Sequence, residues 1–141
     1  MINLEDLTRV PSEFELSIGK KFKLRPCSLA DESWMQRTFG KELEAIFKEI
    51  RLDEICRIAF HMMETDSKAE LSPRERREVD ENGVESIVKI GGVALFKTLI
   101  VDTKDKMAVL QSLLETIGIS RPVQDQLLAD QQEKKNHLIG Q

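Results

Sequence analysis

The spacing of apolar positions changes several times along the chain, and each change marks an element. In "FELSIGKKFKLRP", Phe14, Leu16 and Ile18 alternate with polar residues, and Phe22 and Leu24 resume the alternation after Gly19-Lys20. That pattern predicts a β-hairpin over about 13–25, with glycine in the turn and Pro26 ending the second strand. From Ser28 the spacing becomes helical. Ser28 with Asp31 reads as a capping box with Asp in place of Glu. Asp31 and Glu32 suit the positive end of the helix dipole, and Gly40 is a natural C-terminal cap. Leu29, Met35 and Phe39 form the apolar stripe of this first helix. A second helix carries Leu43, Ile46, Phe47 and Ile50 on one face. A third starts near Asp53, where Ile55, Cys56, Ile58, Ala59, Met62 and Met63 leave only a strip of Glu54, Arg57, His61 and Glu64 polar. So wide an apolar face predicts the central helix of the core.

Beyond Thr65 the chain turns strongly charged through "SPRERREVDENG", a charged excursion over about 65–83 and the candidate hinge. Asn82-Gly83 is a turn signal. Val79 before it, and Val84, Ile87, Val88 and Ile90 after it, allow a second small hairpin. Gly91-Gly92 breaks the pattern, and helix returns in "VALFKTLI". Another helix starts at Asp102 or Thr103, turns Met107, Leu110, Leu114 and Ile117 inward, and stops at Gly118. A last helix opens at Pro122, with Val123 and Leu127 as a weak apolar face. At the other end, Asn3 with Asp6 can cap a short helix bearing Leu4, Leu7 and Val10, stopped by Pro11. The expected fold is therefore mainly α (α+β). About five or six amphipathic helices and one or two small β-hairpins form a single domain over 1–128. The segment 129–141 is nearly all polar and is expected to fray or to wait for a partner.

Composition narrows the function classes. With 40% hydrophobic and 33% charged residues the chain is expected to fold. The net charge of −4 calls for no polyanionic partner. Two scattered cysteines, Cys27 and Cys56, fit no zinc or CxxC spacing and read as reduced core thiols, hence an intracellular site. The N-terminus has acidic residues and no apolar run, unlike a signal peptide, and no stretch approaches the roughly 20 apolar residues of a membrane span.

A catalytic set is hard to assemble. There are two histidines, His61 and His137. His61 lies five residues from Cys56, so the two share a helix face poorly and His61 reads as structural. "IGGV" at Ile90–Val93 lacks the length and the Lys-Ser/Thr of a phosphate loop and reads as a strand-to-helix turn. Paired carboxylates such as Glu13/Glu15 and Asp80/Glu81 are what a highly charged chain produces as caps and solvated faces. Arg74, Arg76 and Arg77 form the best basic cluster. Glu75 and Glu78 interrupt it and no aromatic stands nearby, so a solvated loop explains it better than nucleic acid. No enzyme, cofactor or metal is expected. Trp34, off the Leu29/Met35/Phe39 stripe, either packs beneath the hairpin or shows a face to a partner.

The run "KKFKLRPCSLADESWMQRTFGKELEAIFKEIRLDEICRIAFHMME", followed by "DENGVE", "IGG" and "LLETIGISRPV", resembles the tail assembly chaperones of long-tailed bacteriophages and prophages over roughly residues 14–128. The motifs are apolar spacings plus a few caps, and their order carries the resemblance. It implies a small helical, non-catalytic protein of the bacterial cytoplasm. Such a protein coats the tape-measure protein, recruits tail tube protein, self-associates and leaves the finished tail. A holding chaperone needs exchangeable apolar surface. Trp34, Met62, Met63, Leu127 and Leu128 are the candidate partner contacts, with core packing as the competing reading. The resemblance also implies a programmed −1 frameshift near the end of the gene, for which Lys134-Lys135-Asn136 allows a slippery A-AAA-AAC. The competing functions are a small structural or head-tail adaptor that stays in the particle, and a nucleic-acid-binding regulator using the arginine cluster.

Overall fold

The computed structural model describes residues 9–119 and 123–131. Strands β1 (Ser12–Glu15) and β2 (Lys21–Leu24) pair antiparallel, with Phe14 opposite Phe22. Their alternation places Phe14, Phe22 and Leu24 inside and Glu13, Glu15, Lys21 and Lys23 outside. Leu16, just past β1, is buried too. Ile18 departs from the pattern and is 46% exposed. It sits in the connecting loop, which Leu16 closes by donating to the Lys20 carbonyl at 2.9 Å.

Helix α1 (Leu29–Phe39) opens as expected. Ser28 and Asp31 cap each other's backbone N–H, and Gly40 ends the helix at φ +66°. Leu29 does not join its stripe. It is the first helical residue, projects before the helix meets the core, and is 77% exposed, whereas Met35 is fully buried. After α2 (Leu43–Lys48) comes α3 (Leu52–Met62), whose Ile55, Cys56, Ile58, Ala59 and Met62 are all buried; it is the central helix. Phe14, Phe22 and Phe96 interlock above it with ring centroids 5.3–6.0 Å apart. Helix α5 (Gly92–Leu99) packs on α3. Helix α6 (Thr103–Ile117) underlies both α3 and the first hairpin, with Val109, Leu110, Leu113 and Leu114 buried. Helix α7 covers 123–131, so residues 129–131 continue a helix where a tail was expected. The helix expected through Leu4 and Leu7, the Pro122 start and His137 lie outside the described residues.

The charged excursion, expected as the candidate hinge, folds into regular elements. It holds the short α4 (Thr65–Ala69), then β3 (Arg74–Val79), which pairs antiparallel with β4 (Glu85–Ile90). The turn between them is built by Asp80. Its carboxylate accepts from the N–H of Asn82 at 2.8 Å and of Val84 at 2.9 Å, while Gly83 adopts φ +79°. The paired glycines at the base of this hairpin have separate causes. Gly92 takes φ +59° and donates to the Leu71 carbonyl. Gly91 passes against Pro73 so closely that a Cβ would stand 2.7 Å from its Cα.

Because that obstruction is backbone, Gly91→Ala should lower stability by about 2 kcal/mol, the usual cost of overpacking. Urea unfolding followed by circular dichroism measures it. A loss below about 0.5 kcal/mol would show that the hairpin base yields freely.

Candidate functional site

The densest polar cluster lies where β2 runs into α1. Asp31, 4% exposed, is brought there by the first turn of α1. Arg25, just past β2, meets its carboxylate with both guanidinium nitrogens, Nη2 reaching Oδ1 at 2.8 Å. The Ser28 N–H donates to Oδ2 at 2.8 Å, the Ser28 hydroxyl donates at 2.9 Å, and His61 Nε2 on α3 stands 3.0 Å from Oδ1. Burial pushes the Asp31 pKa up. The Arg25 guanidinium and the two Ser28 donors outweigh that and hold it well below the usual carboxylate range. Arg25 and the Ser28 donors thus favour the ionised form. The cluster joins β2, α1 and α3.

Trp34 closes one side of that joint. Its ring stacks on His61 at 3.8 Å and 3°, and meets Phe39 edge-on; the Arg57 guanidinium lies over Phe39 at 5.2 Å from its centroid. Trp34 is half-buried by this packing. Met62 and Met63, for which core packing competed with a partner-contact reading, are 0% and 2% exposed and belong to the core. Leu127 is buried and Leu128 half-buried, both turning α7 onto that core. Their low exposure follows from α3 being wrapped on nearly all sides. The cysteines are sequestered as well: burial pushes Cys27 up to about 11 and Cys56 up to about 12, so both stay thiols near neutral pH. Among the described residues, no group of three or more His, Cys, Asp or Glu side chains could hold a metal ion.

Two open surfaces stand out among the described residues. One is a groove of about 940 Å³ between the start of α3, the start of α6 and the end of α7. Ile50, Leu52 and Met107 line it with Lys41, Arg51 and Glu54, and Gln131 bridges to the Ile50 carbonyl. Its mixed lining selects no ligand class.

The other is the β3–β4 hairpin. Every residue of β3 is exposed, and Val79, Val84 and Ile87 are 61%, 59% and 65% exposed. The alternation of strand faces also divides the arginine cluster, placing Arg74 and Arg76 on one face and Arg77, which faces Glu85 across the strands, on the other. Sequence reasoning located the hairpin but missed the Asp31 joint. Its one local trace was the capping box, which says nothing of Arg25 or His61.

Removing the Asp31 charge, as in Asp31→Asn, should cost about 2–3 kcal/mol at neutral pH, because it leaves Arg25 and the Ser28 donors with a weaker acceptor. The folded pKa is lowered, so this contribution is complete above the ordinary value of 3.8 and is withdrawn as pH falls below it. Thermal melts from neutral to acid pH should therefore bring wild type and variant together in acid. Parallel curves throughout would refute the assignment.

No protein-family model, curated protein or solved structure matches the chain, so the site stands on its own residues.

Proposed function

We propose that the chain is a tail assembly chaperone of a long-tailed phage or prophage. It is non-catalytic, acts in the host cytoplasm, holds the tape-measure protein while recruiting tail tube subunits, and is absent from the finished particle. The observation that supports this reading is the placement of the motifs that carry the resemblance. "LRPCSLADE" forms the Asp31 joint, "DEICRIAFHMM" is the central helix, and "DENGVE" is the tip of the exposed hairpin. The sequence order that resembles the chaperones is thus also the order of one consistent architecture, with its most exposed element available to partners. Splitting of the basic cluster between two strand faces weakens the nucleic-acid reading.

Co-expression with the tape-measure protein encoded beside this gene should give a co-purifying complex. Purified particles probed with an antibody should lack the chain. Capture failing, together with a stoichiometric band in particles, would replace the chaperone by an adaptor. At the gene level, an AAG codon at Lys135 would remove the frameshift while leaving the chaperone role standing.

A further inference from the structure

We infer that the free edge of β4 is a self-pairing surface, on which two copies of this chain join antiparallel about Ile87 into one four-stranded sheet. The inference stands on strand register and charge pattern and does not rest on the tail-assembly reading.

The ladder decides which groups are free. Asp80 N–H donates to the Val84 carbonyl at 3.1 Å, closing the pair nearest the turn. Hydrogen-bonded pairs alternate along an antiparallel ladder, so Glu78/Ser86, Arg76/Val88 and Arg74/Ile90 bond inward. The N–H and C=O groups of Glu85, Ile87 and Lys89 then point out from the open edge of β4. Those of Glu75, Arg77 and Val79 point out from β3. Among the described elements β3 and β4 pack chiefly on each other, whereas β1 and β2 pack on α6. A two-stranded ribbon is marginal in water by itself, and a further paired strand is one way to stabilise it.

Charge selects the edge and the register. Two-fold pairing of outward-bonding residues must centre on a residue. Positions 74–78 of β3 are all charged, so centring there sets a charge against its own copy, and centring on Val79 sets Glu78 against Asp80. On β4, centring on Glu85 or Lys89 does the same. Centring on Ser86 or Val88 sets Ile87 against Glu85 or Lys89. Centring on Ile87 puts Ile87 against Ile87 of the second copy and Glu85 against Lys89 on both sides, with Val84 reaching Ile90. This register uses every outward hydrogen-bonding group of the strand. It also continues an existing pattern: Lys89, already opposite Glu75 in its own hairpin, gains Glu85 of the second copy on its other side. The edge charges that discourage foreign strands thus suit this one.

The test uses the full chain and two charge variants in sedimentation velocity over a concentration series, with circular dichroism as the folding control. Wild type should dimerise reversibly. Lys89→Glu alone and Glu85→Lys alone should each dimerise at least roughly tenfold more weakly, because like charges then face each other. Mixed in equal amounts, the two variants should regain a heterodimer, since each supplies the charge the other lacks. A misfolding artefact cannot produce that recovery. Monomeric wild type, or an oligomer that neither variant weakens, would overturn the proposal. So would variants that weaken assembly without recovering on mixing, or an edge captured only by a different protein.

Discussion

A buried carboxylate must be fully partnered or its desolvation is not offset, and Asp31 meets that demand by gathering groups from three elements. Arg25 arrives from the end of β2, Ser28 from the cap of α1, and His61 from the last turn of α3. Once they converge, much else is fixed. Arg25 N–H donates to the Met62 carbonyl at 2.9 Å, Glu64 N–H to Lys23 at 2.9 Å, and Cys27 N–H to Thr116 at 3.0 Å. The strand leaving the first hairpin is stitched to the ends of both long core helices, and the His61 ring is set parallel to Trp34. The Trp34–His61 stack adjoins the ionic joint through the same imidazole.

A second buried carboxylate does the same work at the other end of that hairpin. Asp105, 2% exposed in the first turn of α6, accepts from the Ser17 N–H at 2.8 Å, the Ser17 hydroxyl at 2.7 Å and the Val101 N–H at 3.1 Å. Burial raises its pKa, and these donors more than reverse that. The first hairpin is therefore held at its loop and at its exit by two anions, with the phenylalanine cluster between them. The second hairpin has no such anchor. It is tied at its root by the Gly91–Pro73 approach and the bond from Gly92 to Leu71. The first hairpin alternates apolar with polar residues and is anchored at both ends, whereas the charged β3 leaves the second anchored only at its root.

Local chemistry was legible in the sequence and long-range pairing was not. The Ser28–Asp31 box, the Gly40 and Gly118 stops, the Asn82-Gly83 turn and the width of the α3 apolar face each depend on residues within a turn or two, and each reads correctly. Leu29 and Ile18 misled because hydrophobic spacing records which face is apolar, not whether an element has yet reached the core. The arginine-rich run looked like loose chain because strand formation there rests on pairing with β4. Met62 and Met63 looked available because periodicity cannot tell which side of a nearly encircled helix stays open. The joint was hidden for the same reason: Asp31 and His61 are thirty residues apart, and nothing in either's neighbourhood names the other.

The same division bears on how such a chain can act. Most of its large apolar side chains are enclosed among α3, α6 and the first hairpin, whereas Val79, Val84 and Ile87 stand exposed on the second hairpin beside its main-chain edge. Main-chain pairing contributes about 1 kcal/mol net per hydrogen bond, less per unit area than opening the core would expose in apolar surface. Contacts of that kind form and part without disturbing the fold. The exposed valines and isoleucine of the hairpin add affinity beside strand pairing while the charges beside them limit which strands fit. The second hairpin thus differs from the first in the charge order along its open edge and in being tied to the core only at its root.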